Sequence, residues 1–452
     1  MIESILTGRR QALATHFKGP AVLWSGNNSP RNFPANKLPF RASSHFLFFA
    51  GCALANAVIH LDGGKLTLFK DDAGPDDALW HGVSPRRQAI AAHIGAVDHY
   101  PLKALGRWSD GAATIPVQDD MTRQQQMTVL GRSLGVAHQL QGIDRQLAEA
   151  IVAVRLRQDQ DAIASIKQAA EVTVQSHRAG MAATRSAHTE AEIRAAMESV
   201  IIAHDFTCAY ASIVTVRGEV LHNQSYHHTL QPGDLLLADV GAETPMGWAA
   251  DVTRTWPVSG AFSATQRDIY DVVLAAHDSC IAKAAPGVEY RDLHLLAALT
   301  IAEGLVSLGI LKGEPEALVE RDAHALFFPH GVGHLLGLDV HDMEDLGDLA
   351  GYAAGRERCD RFGLSFLRLD RPLQAGMVVT IEPGFYQVPA LLEDADRRSQ
   401  YQDCVNWERL AQFEDVQGIR IEDDVLITEA GAEVLTVALS TAPADIESDL
   451  AL

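Results

Sequence analysis

The sequence predicts a two-domain protein, with an α/β domain over residues 1–154 and an α+β domain over residues 155–452 whose mostly antiparallel sheet is covered by helices. Three observations support this prediction. Short β-rich runs alternate with helical stretches in the first third, a long helical pattern begins near Arg155, and blocks of helices and strands alternate from there on. A length of 452 residues suits two or three domains of ordinary size.

The first domain is predicted from three β-rich runs and one helical region. AVLWSG (21–26), AVIHLD (57–62) and LTLF (66–69) alternate or cluster apolar and β-branched residues, which is typical of strands. Residues 122–156 contain little glycine or proline and predict mixed helix. Few carboxylates or histidines cluster in this domain, so we expect the chemistry to lie in the second one.

Helices of the second domain are indicated by apolar spacing and by end signals. The spacing over residues 155–185 predicts one long helix. Capping boxes at 189–192 and 263–266 predict the starts of two more, and the Pro-Gly pair at 286–287 predicts where the second of these ends. The apolar run 295–311 has a helical period and predicts a buried core helix.

Strands of the second domain are predicted over five apolar segments, namely ASIVTV (211–216), DLLLADVGA (234–242), DVTRTWPV (251–258), MVVTIEPGF (377–385) and GIRIEDDVLIT (418–428). Two polar segments with several glycines or charges, 345–372 and 388–415, predict long surface loops at the strand ends. Such loops are a common place for function.

Composition excludes several classes of function. The formal charge of -21 makes a general basic patch for nucleic acid or an anionic membrane unexpected. The sequence contains no uninterrupted apolar run of about 18 residues, and its first residues lack the apolar core of a secretory signal. The five cysteines are scattered and form no CxxC, which favours a reducing cytoplasm over a disulfide framework.

Two aspartates stand in apolar β context. Asp239 interrupts a strongly apolar strand, and a buried lone carboxylate is rare unless it is paired or ligated. Asp251 begins a β-branched strand. Each also has an ordinary interpretation: Asp239 as a cap or turn carboxylate, and Asp251 as the partner of Arg254 or part of a turn.

Three histidines, His330, His334 and His341, fall in the glycine-punctuated segment FFPHGVGHLLGLDVHD. Histidines in such a segment are often satisfied core residues, but three so close together favour a site, and the glycines let backbone approach a ligand closely. The segment has no HExxH motif, which excludes a zincin helix.

Two glutamates complete a metal-binding pattern. Glu382 and Glu422 each follow a run of β-branched apolar residues, where burial of a carboxylate is costly unless it binds a cation. Oxygen ligands with one imidazole suit Mn²⁺ or a similar ion, with Zn²⁺ or Co²⁺ as alternatives, and four carboxylates match the charge of two divalent ions. Paired ions about 3.5–4 Å apart activate water for hydrolysis.

These residues resemble the pita-bread metallopeptidases, the group that includes methionine aminopeptidase, aminopeptidase P and prolidase. The matching strings are LLLADVGAETPMGWAADVTRTWPVSG, FFPHGVGHLLGLDVHD, LQAGMVVTIEPGFY and GIRIEDDVLIT, in the family's order. FPANKLPFRASSHFLFFAG (33–51) resembles the N-terminal domain of aminopeptidase P and prolidase, which narrows the resemblance to the proline-specific branch. It implies a curved sheet of pita-bread type in the second domain.

The resemblance also implies a role for each metal ligand. Asp239 would bind one ion, and Asp251 and Glu422 would bridge both ions. His334 and Glu382 would bind the second ion. Glu382 would also act as the general base that takes the proton from water.

Four further residues match family positions around the substrate. His222 and His341 resemble the histidines that contact substrate near the scissile bond, where they would stabilise the intermediate or assist the leaving nitrogen. His330 and Arg420 resemble residues that line the substrate pocket. The alternative for all four is to orient a metal ligand.

The sequence departs from the family in one spacing and one residue type. Asp239 and Asp251 are twelve residues apart, one more than is usual, and we expect the turn between them to absorb the difference. Trp248 stands where a tyrosine often precedes the second aspartate, which leaves the source of that hydroxyl open. Trp80 resembles a tryptophan that in aminopeptidase P reaches a neighbouring subunit's site, although we expect it to be a core residue.

The resemblance therefore implies a Xaa-Pro aminopeptidase that needs two divalent metal ions and acts on peptides with proline in the second position. The alternatives are a Xaa-Pro dipeptidase (prolidase), which would share every ligand, and a metal-free creatinase-like or binding protein, which the five filled ligand positions disfavour. The resemblance further implies a homodimer or homotetramer, with no nucleic acid or membrane partner.

Overall fold

A computed structural model describes residues 2–74 and 76–451 of the chain. The α-helices are Ile2–His16 (α1), Ser44–Ala50 (α2), Asp77–His81 (α3), Arg87–His93 (α4), Asp120–Leu130 (α5), Gly142–Arg155 (α6), Gln160–Thr184 (α7), Glu190–Ala203 (α8), Ala264–Lys283 (α9), Tyr290–Ser307 (α10), Pro315–Glu320 (α11), Asp348–Gly351 (α12), Pro389–Leu392 (α13), Ala395–Gln400 (α14), Trp407–Leu410 (α15) and Pro443–Ala451 (α16).

The strands, in the same order, are Ala21–Trp24 (β1), Pro30–Phe33 (β2), Asn36–Lys37 (β3), Ala57–Asp62 (β4), Lys65–Lys70 (β5), Asp98–Tyr100 (β6), Thr207–Cys208 (β7), Ile213–Thr215 (β8), Leu235–Asp239 (β9), Ala242–Glu243 (β10), Thr253–Pro257 (β11), Val378–Ile381 (β12), Gly384–Tyr386 (β13), Gly418–Arg420 (β14), Asp423–Thr428 (β15) and Gly431–Val434 (β16). In the described part of the chain, no helix combines the length and apolar character that a membrane span requires.

The chain forms two compact units, and the first comprises Met1–Leu156 with the separate segment Met343–Ala350. Its sheet has the order β1-β4-β5-β6, antiparallel except for the parallel pair β5-β6. Val22, Val58 and Phe69 of this sheet pack into one buried apolar cluster. The predicted strands of the first domain thus form, and the predicted mixed helix corresponds to α5 and α6.

The second unit comprises Arg157–Asp342 and Gly351–Leu452, and its strands pair only in antiparallel fashion in the described residues. Its sheets have the orders β11-β9-β8, β12-β15-β16, β13-β14 and β10-β7. An isolated bridge between Thr253 and Glu422 links the first of these sheets to the connection between β14 and β15.

Two predicted strands are interrupted. The segment 377–385 breaks at Glu382–Pro383, because proline has no N–H for the ladder. The segment 418–428 breaks at Ile421–Glu422, where the Glu422 N–H instead donates to Thr253 O at 3.0 Å. The interruptions place both glutamates between strands, where a side chain is free to turn toward a common point.

The single long helix predicted over 155–185 was wrong, because α6 ends at Arg155 and α7 begins at Gln160. Asp159 caps α7 by accepting a hydrogen bond from the Ala162 N–H at 2.9 Å. The Gln158 N–H donates to Gly376 O at 2.7 Å, which holds the linker out of the helix.

Of the two predicted capping boxes, one forms completely. Ser263 and Gln266 exchange both hydrogen bonds at the start of α9. The Thr189 side chain makes no cap bond at α8, and Glu192 accepts from the His188 N–H at 2.7 Å instead. The predicted core helix is α10, which is buried along one face but ends at Ser307.

The segments 345–372 and 388–415 are only partly the surface loops that the sequence predicted. They contain the short helices α12 to α15, and they bury Leu367, Asp370, Tyr401 and Phe413. Asp370 is buried because its carboxylate accepts from Arg291 and, at 2.8 Å, from Arg356. The many charged residues of these segments predicted that they lie on the surface. Ion pairs within the unit instead allow a charged side chain such as Asp370 to be buried.

The expectation of a core position for Trp80 was also wrong, since Trp80 is 76 % exposed. It lies on α3, a short helix with no buried residue. Its neighbours Leu79 and Val83 are exposed as well. Exposed apolar side chains grouped within residues 79–83 favour contact with a partner.

Candidate metal centre

The four carboxylates predicted as ligands lie at strand ends or between strands of the second unit. Asp239 is the last residue of β9, and it pairs in register with Thr253 of β11. Asp251 precedes β11, Glu382 separates β12 from β13, and Glu422 separates β14 from β15. The ends of three antiparallel pairs therefore supply the acidic groups.

His334 reaches the same place from an irregular segment that runs beside β12. Its N–H donates to Thr380 Oγ1 at 3.1 Å, and its carbonyl accepts from the Thr380 N–H at 3.0 Å. Gly333 has φ +154°, and a Cβ there would lie 2.2 Å from Thr380 O, so the close approach requires glycine. The His334 ring donates through Nδ1 to Leu335 O at 3.0 Å, which leaves Nε2 unprotonated and directed at the carboxylates.

Three of the five predicted ligands converge within bonding range of one ion. Asp251, His334 and Glu422 are all buried, and each offers a ligand atom within 4.8 Å of the others. His334 Nε2 lies 3.4 Å from Asp251 Oδ2 and 3.6 Å from Glu382 Oε1. The Glu382 side chain is 17 % exposed, so this glutamate faces the accessible side of the cluster.

Asp239 joins the cluster through a hydroxyl that the sequence did not predict. Tyr210 Oη lies 2.5 Å from Asp239 Oδ1 and 2.5 Å from Asp251 Oδ1. A side chain at Gly241 would meet Tyr210 Cε1 at 2.9 Å and Ala250 O at 1.9 Å. Glycine at that position therefore lets the tyrosine reach both aspartates.

A chain of hydrogen bonds runs from Asp239 to His330 through Arg420 and Tyr386. Arg420 donates to Asp239 Oδ2 at 2.6 Å and to Tyr386 Oη at 2.9 Å. His330 donates through Nδ1 to Gly331 O, so its Nε2 accepts from Tyr386 Oη at 2.9 Å. Burial lowers the pKa of His330 to about 3, which keeps the ring neutral in this chain.

Thr253 supports the cluster from the opposite side. Its hydroxyl donates to Glu422 Oε2 at 2.7 Å and accepts from Arg420 Nε at 3.0 Å. The buried Asp424 carboxylate accepts the Asp251 N–H, with 3.2 Å to each of its oxygens. The backbone before β11 is thereby fixed to β15.

The electrostatics of the cluster disfavour ionisation of all four carboxylates in the protein alone. Burial raises the pKa of Glu382 to about 8, with the charges of Asp251 and Asp239 adding to this effect and Arg420 opposing it. Burial likewise raises the pKa values of Asp239, Asp251 and Glu422. Four crowded acids that resist ionisation in the protein alone are the groups that divalent cations stabilise.

The three predicted histidines outside the ligand set lie around this cluster. The His341 ring packs edge-on against His334, with centroids 4.2 Å apart. His330 Nδ1 lies 3.8 Å from Glu382 Oε2. His222 is exposed, and its pKa is lowered by partial desolvation and by the positive charges of Arg420, Arg368 and His341.

The twelve-residue spacing between the aspartates is absorbed by the hairpin turn. β9 and β11 pair in continuous register from Asp239–Thr253 to Leu235–Pro257. The turn closes through a bond from the Thr244 N–H to Trp248 O at 2.9 Å. Trp248 is buried, and the hydroxyl next to Asp251 comes from Tyr210 instead.

Sequence reasoning missed five residues that touch or face the cluster, namely Tyr210, Thr253, Tyr386, Asp424 and Arg368. Three of them lie within strings that were recognised for their ligands, and proximity to those ligands was an available signal for them. Tyr210 and Arg368 come from other segments, and nothing local marked either one.

The residues fit divalent metal ions by both charge and donor type. Two carboxylates and the imidazole nitrogen of His334 surround one buried point, with Glu382 and Asp239 beside them, and this oxygen-rich set suits borderline-hard divalent ions. Burial raises the pKa values of these acids, and a bound cation would stabilise their ionised forms.

Comparisons with known proteins find matches to both parts of the chain. Residues 164–429 match metallopeptidase family M24, and residues 6–112 match the aminopeptidase P N-terminal domain. A probable Xaa-Pro aminopeptidase from Talaromyces marneffei is 33 % identical over 441 residues, which cover 94 % of this chain and 92 % of that protein.

Solved structures share the whole fold. Escherichia coli aminopeptidase P with the inhibitor Pro-Leu has a TM-score of 0.82 at 26 % identity, covering 100 % of this chain and 98 % of the other. Proline aminopeptidase P II from Yersinia pestis has a TM-score of 0.80 at 29 % identity, covering 100 % of each chain. The predicted fold class is confirmed by these likenesses.

Proposed function

This chain belongs to metallopeptidase family M24, and we propose that it is a Xaa-Pro aminopeptidase, which hydrolyses the bond between an N-terminal residue and a following proline. The observation that carries the proposal is the buried convergence of Asp251, His334 and Glu422 beside the more exposed Glu382. Likeness to aminopeptidases P over nearly the whole chain supports the same activity.

Five residues would hold two divalent ions, which we propose to be Mn²⁺, with Zn²⁺ or Co²⁺ as alternatives. Asp239 would bind one ion, Asp251 and Glu422 both, and His334 and Glu382 the other. Bound ions would lower the pKa of water and polarise the scissile carbonyl. Tyr210, Thr253 and Arg420 would orient the carboxylates through the bonds described above.

Glu382 would accept the proton of the attacking water, because it is the ligand on the accessible side of the cluster. With ions bound, this carboxylate would be ionised and able to take up that proton. His222 and His341 would contact the peptide on either side of the scissile bond. His330 and Arg420 would line the pocket while they support Tyr386 and Asp239.

The substrate would be a peptide with proline in the second position. A bond before proline lacks the N–H that most peptidases use, and proline restricts the residue before it, so a dedicated site is needed. The test is hydrolysis of Xaa-Pro-Yaa tripeptides by Mn²⁺-loaded protein, with Xaa-Ala-Yaa as the matched control. Cleavage of both at equal rates, or of neither, would refute the proposal.

One observation favours a second candidate, a Xaa-Pro dipeptidase. The half-buried Arg368 lowers the pKa of both Glu382 and His222, so its cation lies within electrostatic range of both groups. The backbone of residues 366–368 packs within 3.1–3.4 Å of where a Gly331 side chain would begin, next to His330. A cation at this place would bind the C-terminal carboxylate of a dipeptide, and cleavage of Xaa-Pro but not Xaa-Pro-Yaa would establish this candidate.

The exposed surface formed by Leu79, Trp80 and Val83 supports an oligomer of this chain, a homodimer or homotetramer, in which the surface is covered. A cytoplasmic location is supported by five cysteines that all remain free. The metal-free alternative, a creatinase-like or binding protein, is disfavoured because all five ligand positions are filled.

A further inference from the structure

A buried ion pair lies directly behind Glu422. Arg254 and Asp423 are both almost fully buried, and Arg254 Nη2 donates to Asp423 Oδ1 at 2.8 Å. Arg254 follows Thr253 on β11, and Asp423 follows Glu422 at the start of β15. Each member of the pair is thus the chain neighbour of a residue that touches the candidate metal centre.

Arg254 uses all five of its N–H groups inside the protein. Besides Asp423, the acceptors are backbone carbonyls at 2.7–3.2 Å, those of Thr253, Glu422, Leu439 and Ser440. A guanidinium is a rigid planar fork, so its five bonds fix the relative positions of the segments that supply the acceptors. One of those carbonyls belongs to Glu422 itself.

Asp423 is fixed from two further directions. Thr436 Oγ1 donates to its Oδ1 at 2.5 Å, and His277 Nε2 of α9 lies 3.1 Å from its Oδ2. The stretch that provides Thr436, Leu439 and Ser440 is itself anchored by a bond from Tyr270 Oη to Thr441 O at 2.9 Å. We call residues 436–441 the C-terminal clasp.

We infer that Arg254 and Asp423 are positioning residues for the metal centre, and that the C-terminal clasp is a working part of that centre. The clasp lies beyond residue 429, where the family match ends. The Glu422 N–H donates to the Thr253 carbonyl, the Glu422 carbonyl accepts from Arg254, and the Glu422 carboxylate accepts from the Thr253 hydroxyl. These bonds restrict the movement of Glu422. The inference rests on the proposed function only in taking Glu422 as a ligand shared by two ions.

The ion pair suits this role better than an apolar pair of similar volume. A buried ion pair adds little net stability, but it imposes one geometry on its surroundings. A ligand shared by two ions tolerates small errors poorly, because its two oxygens must satisfy both ions together. Loosening the clasp is therefore expected to weaken metal binding more than it weakens the fold.

The test measures Mn²⁺ binding by calorimetry and metal content after dialysis for three variants of the full chain. Thr436→Val removes one hydroxyl donor from Asp423, and Asp423→Asn removes the charge of the pair. Lys167→Gln is the matched control, because Lys167 bonds Glu433 of β16 at the surface and touches neither member of the pair. Far-ultraviolet circular dichroism of chelator-treated protein reports folding.

We expect wild type and Lys167→Gln to bind two ions with equal affinity, and both other variants to bind at least one ion roughly 10–100-fold more weakly. Saturating Mn²⁺ should restore the activity of Thr436→Val. Wild-type affinity in both Thr436→Val and Asp423→Asn would overturn the inference. If Asp423→Asn fails to fold, Thr436→Val alone decides.

The outcome for the proposed function is separate. A wild-type protein that binds two ions but cleaves no Xaa-Pro bond would refute the peptidase and leave the binding comparison intact. A wild-type peptidase whose Thr436→Val variant binds both ions normally would refute only the positioning role.

Discussion

His334 Nε2 lies 3.4 Å from Asp251 Oδ2, too far for a hydrogen bond and close to the separation of two atoms bound to the same ion. Ligands about 2.0–2.2 Å from an ion and roughly at right angles to each other are about 3 Å apart. The site is therefore nearly preformed for metal in the fold alone. That arrangement crowds several acids together, and protons and metal ions compete for them.

Competition with protons predicts how metal affinity depends on pH. The pKa of Glu382 is raised to about 8 by burial, so below that pH the group must lose a proton to bind an ion. We expect Mn²⁺ affinity to rise as pH increases from 6 to about 8, with proton release. Calorimetry in buffers of different ionisation enthalpy measures both quantities, and a pH-independent affinity would contradict the prediction.

The raised pKa of Glu382 also makes the stability of the metal-free fold depend on pH. The pKa of Glu382 in the folded protein, about 8, lies above its ordinary value of 4.5. Between these two pH values the folded state therefore binds more protons than the unfolded chain. The contribution of this group to the free energy of unfolding therefore falls as pH rises from 4.5 to about 8. Saturation with metal should remove this loss.

Replacement of Glu382 tests the general base. Glu382→Ala should abolish turnover, with kcat lowered about 10³-fold or more, because a ligand and a proton acceptor are both lost. The fold should survive, since this side chain is partly exposed and makes only weak contacts with His330 and His334. Steady-state kinetics with circular dichroism measure both effects, and near-normal activity would refute the role.

Local sequence context was enough to propose the ligands and insufficient to find the residues that hold them in place. Asp239, Glu382 and Glu422 were recognisable because an acid after an apolar β-branched run is costly to bury unless it binds a cation. Tyr210 was not recognisable, because its contact with the aspartates depends on its close approach to the backbone at Gly241. Contacts between residues far apart in the chain leave no periodic pattern in the local sequence.

The same limit accounts for the structural errors. The break between α6 and α7 coincides with a hydrogen bond from the Gln158 N–H to the carbonyl of Gly376, far away in sequence. Trp80 was expected in a core because tryptophan usually lies there, yet α3 packs no residue inside the fold. In both cases the outcome depends on tertiary contacts, which form at Gln158 and do not form at α3.

The Tyr210 hydroxyl is expected to support metal binding by the two aspartates. One hydroxyl cannot donate to Asp239 and Asp251 at once, so with ions bound it would fix whichever oxygen is left free. Tyr210→Phe should keep the ring packing against Gly241 and lower Mn²⁺ affinity or kcat about tenfold. Tyr226→Phe is a suitable control, since the Tyr226 hydroxyl donates to the Ser212 carbonyl and to neither aspartate. Equal behaviour of the two variants would refute a special role for Tyr210.

The exposed tryptophan gives a prediction about assembly. Trp80→Ser should shift the protein toward smaller species in analytical ultracentrifugation, because it removes the largest apolar group from the surface formed with Leu79 and Val83. Met121→Ser, at a residue 78 % exposed on a different helix, is the control. An unchanged distribution of species for Trp80→Ser would exclude this surface as the contact between subunits.

Arg368 decides between the two candidate peptidases. If its cation binds a substrate carboxylate, Arg368→Gln should raise the KM for a Xaa-Pro dipeptide about 10–100-fold, since a charge-assisted hydrogen bond is worth roughly 1.5–3 kcal/mol. The KM for a longer Xaa-Pro peptide, whose C-terminal carboxylate lies further from the scissile bond, should change much less. Lys312→Gln, which removes an exposed cation in the same unit, controls for net charge. Equal changes for both substrates would mean that Arg368 acts on the charge of Glu382 and His222 instead of on the peptide, and would leave the aminopeptidase as the better description of the site.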